Sequence, residues 1–230
     1  MTNAGFAVAI DGPVGVGKST TARIVAEKLG MTYIDTGAMY RAVAFFCTAR
    51  GVDIHNETTV KSVLKDIDIH LRIESGLQRL YLLEDNKRRD ITDDIRTQEA
   101  SENASVVAAH KCVREKLVAQ QKQLAATGRV VMDGRDIGSH VLPWAQVKIY
   151  LDASTEIRAK RRCLDLEAKG QPAEFEKVCE ETKIRDYRDK TRENSPLIRT
   201  PDAHYIDTGK MTREEVVDNI VNIAKLKEGR

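Results

Sequence analysis

No stretch of this 230-residue chain approaches the roughly 18 consecutive apolar residues that a membrane-spanning helix needs. Nothing near its beginning reads as a signal peptide, because the first apolar run is short and passes straight into a glycine-rich loop. A cytoplasmic protein that works without a membrane is therefore expected. Cysteine is scarce: Cys47, Cys112, Cys163 and Cys179 lie 65, 51 and 16 residues apart, with no CxxC pair. That spacing argues against a zinc knuckle or a dithiol redox motif and leaves reduced thiols as the expectation. There is no excess of either charge. Thirty-seven Lys and Arg face 35 Asp and Glu, and the formal net charge of +2 is too small to argue for a nucleic-acid partner. Internal repeats and low-complexity tracts are missing too. With 41% hydrophobic and 31% charged residues, the chain reads as one globular domain, or one domain with inserts.

What is present is organised around Gly12-Pro13-Val14-Gly15-Val16-Gly17-Lys18-Ser19-Thr20. The spacing is that of a phosphate-binding loop: a Gly, four residues, then Gly-Lys-Ser/Thr. Before it, Phe6 to Ile10 is a short apolar run that predicts a buried parallel strand. After it, Ile24, Val25 and Leu29 recur at helical spacing, and Gly30 stops the helix. Glycines let backbone N–H groups converge without Cβ atoms in the way, and the helix N-terminus adds unpaired donors and partial positive charge. Lys18 then supplies a cation for the outer phosphates, and Ser19 a hydroxyl for Mg²⁺.

A second strand, Met31 to Asp35, leads into Thr36-Gly37-Ala38-Met39-Tyr40-Arg41 and a helix from Ala38 to about Arg50. Thr36 at the helix start reads as a cap or as a hydroxyl for a ligand. Arg41, one turn in, opposes the helix dipole and makes better sense beside a bound anion. Residues 52–98 change character. A short helix, Glu57 to Leu64, precedes strands Ile67 to Ile73, Leu77 to Leu83 and Lys87 to Ile91, joined by turns at Glu74-Ser75-Gly76 and Asp85-Asn86. His70 belongs to the first of these strands. This antiparallel meander interrupts a βα chain and reads as an inserted lobe that closes over a substrate. From Thr97 to Thr127 the pattern is helical. Ser105 and Arg114 are nine residues apart, on opposite faces of a continuous helix, so one site can use both only if the helix breaks near Ala109 to Lys111.

Arg129 to Asp133 is an apolar strand that delivers a carboxylate from its C-terminal end, the Walker B layout, and Gly134-Arg135-Asp136 continues at the same sheet edge. Asp133 is thus a metal candidate alongside Ser19. Val147 to Asp152 is a fourth core strand. The helix after it, Ile157 to Leu166, carries Arg158, Arg161 and Arg162, and with the loop through Lys169 to Pro172 it forms a candidate lid. On the helix Glu174 to Arg192, residues Arg185, Asp189 and Arg192 fall at i, i+4 and i+7 on one face. His204 to Asp207 is a fifth strand, and Thr212 with Glu215 forms a capping box for the last helix.

Five segments occur in one order: the Gly12–Thr20 loop, Asp35-Thr36-Gly37-Ala38-Met39-Tyr40-Arg41, Ile95-Arg96-Thr97-Gln98-Glu99, Asp133-Gly134-Arg135-Asp136, and Arg185 to Arg192 followed by Ser195-Pro196-Leu197. Together they resemble the bacterial cytidylate kinases over nearly the whole chain; Thr36 stands where many members have serine. The resemblance implies an α/β P-loop kinase fold with a five-stranded parallel sheet flanked by helices, an inserted meander in the monophosphate-binding lobe, and a small lid. The expected division is core at 1–38, monophosphate lobe at 39–98, core at 99–154, lid at 155–172 and core at 173–230. The implied reaction moves the γ-phosphoryl group of ATP to CMP or dCMP, with Mg²⁺ as cofactor. Carried over by motif, Arg41, Arg135 and Arg192 would hold the acceptor phosphate. Thr36, Arg114, Asp136 and Arg192 would face cytosine, and Ser105, Arg185 and Asp189 the sugar. Lys18, Arg135, Arg158, Arg162 and Arg192 would act on the transferring group. A monomer is expected.

On the residues alone, a P-loop kinase for UMP, shikimate or dephospho-coenzyme A stays open, as does a nucleotide switch or a nucleic-acid-associated NTPase. Against a guanine-reading switch, Asn86-Lys87 is followed by Arg88-Arg89 and not by the Asn-Lys-x-Asp pattern.

Overall fold

The structure, a computed structural model, describes residues 5–74, 77–84, 87–126, 128–168 and 170–229. The expected turns at Ser75-Gly76 and Asp85-Asn86 lie outside the described residues, as do Thr127 and Lys169. The chain packs as two units, Met1–Tyr33 with Arg129–Arg230, and Ile34–Gly128.

The parallel sheet has strands β1 (Ala7–Asp11), β2 (Thr32–Asp35), β6 (Val130–Gly134), β7 (Val147–Asp152) and β8 (His204–Asp207), in the order β2-β6-β1-β7-β8; all but β2, which the chain passes through as it leaves the first unit after Tyr33, belong whole to that unit. β1 lies at the centre and all five of its residues are buried, which is why its sequence is a continuous apolar run and not an alternation. Helix α1 (Lys18–Leu29) ends at Gly30 in the left-handed region, and its apolar stripe joins that of α8 (Arg213–Glu228) in the core with Val8, Ile10, Val147, Ile149 and Ile206. The capping box at Thr212 and Glu215 is formed. Helices α6 (Thr155–Glu167) and α7 (Phe175–Thr191) pack on each other through Ala159, Cys163, Leu166, Val178 and Cys179. All four cysteines are free thiols.

The second unit holds α2 (Thr36–Ala49), α3 (Glu57–Leu64), an antiparallel sheet β3-β4-β5 (Asp68–Glu74, Leu77–Glu84, Lys87–Asp90), α4 (Gln98–Val107) and α5 (Lys111–Ala126). Its core joins Val43, Phe46 and Cys47 to Ile67, Ile69, Leu80, Leu82 and Ile91. Every residue of β5 is exposed, and its Lys-Arg-Arg-Asp composition blunts the free edge. Two sequence expectations change here. Helix α2 begins two residues early, and its cap is Asp35, whose Oδ1 accepts from the Ala38 N–H at 2.9 Å, so Thr36 is not the cap. The long helix expected over 97–127 is two helices broken at residues 108–110, next to the expected break at 109–111. His110 holds the break by bonding the Ile54 carbonyl through Nε2 at 2.7 Å.

Candidate active site

β1 delivers the glycine loop at the carboxyl edge of the sheet. Gly12 has φ +152, and a Cβ there would meet the Leu151 carbonyl oxygen at 2.1 Å, so the loop can leave the strand only at a residue with no side chain. Gly15, at φ +78, passes close to Arg158 of α6 in the same way. Lys18 opens α1. Its Nζ donates to the Pro13 carbonyl at 2.6 Å, closing the loop on itself. Burial and then the like charge of Arg135 push the Lys18 pKa well below that of an ordinary lysine, while Asp133 and Asp189 act against the shift.

Asp133 is buried near the end of β6. Ser19 Oγ donates to its Oδ2 at 2.9 Å, and the Tyr33 hydroxyl donates to Oδ1 at 2.8 Å. A hydroxyl and a carboxylate this close are the donor set a hard, oxygen-seeking cation takes. No group of three or more His, Cys, Asp or Glu gathers as a metal site among the described residues. Mg²⁺ would therefore draw its other ligands from phosphate and water, as it commonly does. On these grounds Ser19 and Asp133 fit the expected ion. Tyr33 was not legible as a site residue, since an aromatic in an edge strand carries no signal of where its hydroxyl ends.

Arg135 Nε donates to Asp189 Oδ2 at 2.7 Å, tying the loop after β6 to α7. Burial alone would raise the Asp189 pKa, but the charges of Arg135 and Arg185 hold it below the usual carboxylate range. Asp136 faces Arg192 across 3.5 Å, and Arg192 Nε donates to the Ser195 carbonyl at 2.8 Å. The structure thus gathers Lys18, Arg135, Arg185 and Asp189 within electrostatic reach of one another. Immediately after Asp136 comes a π-turn, Ile137–Val141, which no local pattern announced.

The two lid arginines differ. Arg158 is buried and fully engaged. Nε donates to the Ala153 carbonyl at 2.9 Å, Nη1 to the Val14 carbonyl of the glycine loop at 3.0 Å, and Nη2 to Thr155 Oγ1 at 3.0 Å, with Asp186 Oδ2 at 2.6 Å. Arg162 is partly exposed and makes no such contact among the described residues. Arg161 instead ties α6 to Thr208, at 3.0 Å to its hydroxyl and 2.7 Å to its carbonyl.

In the second unit, Arg41 Nη2 meets Asp35 Oδ2 at 2.8 Å, so one carboxylate both caps α2 and holds the arginine. Gln78 of β4 clamps the same junction, accepting from the Asp35 N–H at 2.7 Å and donating to its carbonyl at 3.1 Å. Thr36 is buried at the start of α2 and Ser105 is buried in α4. Arg114 of α5 is also buried. It reaches back across the helix break to the Ala108 carbonyl at 3.4 Å and lies 5.6 Å from the centre of the Tyr40 ring.

A glycine loop closed on a buried lysine at the carboxyl edge of a parallel sheet, with a Walker B carboxylate on its serine, defines a P-loop nucleotide-binding protein of the kinase type. Residues 8–226 match the cytidylate kinase family. The chain is 48% identical to a cytidylate kinase of Geobacillus kaustophilus (strain HTA426), over 97% of this chain and 98% of that one. It is 47% identical to a cytidylate kinase of Shouchella clausii (strain KSM-K16), over 96% of each. In fold alone it is similar to the crystal structure of an uncharacterized protein from Eubacterium ventriosum ATCC 27560, with a TM-score of 0.51 and 12% identity over 98% of this chain and 99% of that one. The chain belongs to the cytidylate kinase family. No helix among the described residues is long and apolar enough to cross a membrane.

Proposed function

We propose that this chain transfers the γ-phosphoryl group of ATP to CMP or dCMP, forming ADP and CDP or dCDP. One observation carries the reading beyond family membership: the buried Lys18 closes the glycine loop through the Pro13 carbonyl at 2.6 Å, and the next residue, Ser19, meets the Asp133 carboxylate at 2.9 Å. A buried cation beside a hydroxyl–carboxylate pair suits a phosphate chain with its metal ion.

An oxygen of the acceptor phosphate forms the new bond to the γ-phosphorus, while the bridging bond to ADP breaks and its electron pair leaves with ADP. The acceptor phosphate has a second pKa near 6, so it is anionic at neutral pH and no side chain need remove a proton. Catalysis is then positioning and electrostatics. Residues 12–20 would hold the ATP phosphates, with Lys18 on the outer ones. Ser19 and Asp133 would hold Mg²⁺, which when bound lowers the charge of the β- and γ-phosphates. Arg41, Arg135 and Arg192 are proposed for the acceptor phosphate, where guanidinium forks match phosphate geometry. Thr36, Arg114 and Asp136 are proposed for the base, and Ser105, Arg185 and Asp189 for the sugar. Arg162 is the freer lid arginine to reach the transferring group. Arg158 would do so only by exchanging its protein acceptors. A cytoplasmic monomer acting without nucleic acid or membrane completes the proposal, in keeping with the net charge of +2.

An acceptor screen with ATP and Mg²⁺, read by ADP release, tests it. CMP and dCMP are expected to support turnover far above UMP, AMP, shikimate or dephospho-coenzyme A. A carboxylate at Asp136 accepts from the cytosine amino group and repels the uracil oxygen, and such sites discriminate by about 10⁴ or more. Equal turnover of CMP and UMP would overturn the Asp136 role, and turnover of a non-nucleotide acceptor alone would overturn the reading.

A further inference from the structure

Asp11 is the last residue of β1, buried, and in register with Gly134 of β6. Its side chain crosses to the loop after β6. Oδ1 accepts from the Ile137 N–H and Oδ2 from the Gly138 N–H, both at 2.8 Å. These are the opening donors of the π-turn Ile137–Val141, whose N-cap is Asp136. An aspartate at an N-cap ordinarily turns its carboxylate onto its own orphan N–H groups. Asp136 makes no such cap bond, and its carboxylate lies instead 3.5 Å from the Arg192 guanidinium. Its backbone carbonyl is meanwhile committed to the turn, accepting from His140 at 2.9 Å and Val141 at 3.2 Å.

We propose that Asp11 is a positioning residue for acceptor specificity: it caps the π-turn in place of Asp136 and so keeps the Asp136 carboxylate turned toward Arg192 and the acceptor base. The role rests on the phosphotransferase reading above. It also makes β1 a shared anchor. The residue that ends the strand holds the acceptor-reading loop, and the next residue, Gly12, opens the ATP loop.

Asp11→Asn keeps one acceptor oxygen but points an amide donor at a backbone N–H. The freed turn then competes for the Asp136 carboxylate. At pH 8 the kcat/KM ratio of CMP over UMP is expected to fall about tenfold or more, the scale expected of a misplaced recognition group, while the KM for ATP stays within about threefold. Asp11→Ser, which leaves one acceptor oxygen for two N–H groups, is expected to move the ratio in the same direction and carries the test if Asp11→Asn is not recovered folded. Ile220→Val, a core variant on α8 away from this loop, controls for stability loss and is expected to leave the ratio unchanged. A wild-type ratio in Asp11→Asn or in Asp11→Ser overturns the proposal, and so does an equal fall in the control. Amide hydrogen exchange separates this idea from the parent reading, because it needs no substrate. The Ile137 and Gly138 amides are expected to exchange faster in Asp11→Asn, and unchanged protection overturns the proposal whatever the enzyme phosphorylates.

Discussion

Asp189 of α7 receives the Arg135 Nε–H at 2.7 Å, and its own side chain is only 5% exposed against 18% for the arginine. The carboxylate is therefore committed inside the protein, while part of the guanidinium still faces outward. Burial opposes the charge on Arg135, and Asp189 holds it protonated. Breaking such a pair from one side costs about 3–5 kcal/mol, because the remaining charge stays buried without its partner. Asp189→Asn keeps the shape and removes the charge. It is expected to raise the KM for CMP by about 10- to 100-fold, the cost of losing a charged hydrogen-bonding partner, and to leave the KM for ATP within about threefold. Steady-state kinetics with each substrate varied in turn check this, and equal loss for both substrates would mark the pair as structural only.

Tyr33 and Ser19 each hold one oxygen of Asp133. Tyr33→Phe removes one hydrogen bond to a charged group, about 1.5–3 kcal/mol at most. The expected result is a several-fold higher Mg²⁺ requirement, with kcat near wild type at saturating Mg²⁺. Electron paramagnetic resonance of Mn²⁺ binding in the presence of ADP gives a readout apart from turnover, and unchanged affinity would remove Tyr33 from the metal site.

Arg158 and Arg162 should separate cleanly. Arg158→Met leaves Asp186 buried without its ion-pair partner and frees the Val14 carbonyl. A drop in stability of about 3–5 kcal/mol is expected, with a higher KM for ATP. Arg162→Met is expected to lower kcat and leave the melting temperature within about 1 °C, as for a surface substitution. Thermal unfolding and initial rates on both variants check the contrast, and a matching loss of stability in both would refute it.

Stability should carry an Asp11 signature in pH. Burial raises its pKa from 3.8 to about 7, against the pull of the Gly138 and Ile137 N–H groups, with Asp136 adding to the rise and Lys18 opposing it. The folded chain then binds more protons than the unfolded chain between these values. The contribution is fully present below pH 3.8, is lost as pH rises through about 7 and is level above that. Its span is on the order of 4 kcal/mol. Denaturant unfolding of wild type and Asp11→Asn at intervals from pH 5 to 8 should show the wild-type slope flattened in the variant. Parallel curves would show that Asp11 titrates alike in both states.

Much of the architecture was legible because it rests on contiguous residues. The strand, loop and first helix follow from an apolar run, glycine spacing and a 3.6-residue stripe, and the Thr212–Glu215 box needs only four neighbours. Helix α3 and strands β7 and β8 lie at the expected residues for the same reason. The break at 108–110 was inferred from a demand of the site and not from composition; His110 within it is held by the Ile54 carbonyl, 56 residues away in the chain. Of the two readings open for Thr36, the cap falls away, because Asp35, one residue earlier, caps equally well by type and takes that place. The choice turns on where the strand ends, and Gln78 of β4 fixes that point.

Residue types and spacing settled which groups are present to handle phosphate: a loop of glycines, a lysine, a serine, an aspartate after a strand, and arginines at set intervals. Folding settled what each of those groups is attached to. Arg135 meets Asp189 across 54 residues, Tyr33 meets Asp133 across 100, Ile137 meets Asp11 across 126, and Arg158 meets Val14 across 144. A hydrogen bond is fixed by angles and by tenths of an ångström. Chain-local preferences fix φ, ψ and periodicity only, so partners brought together by separate strands and helices leave no trace in the order of the residues.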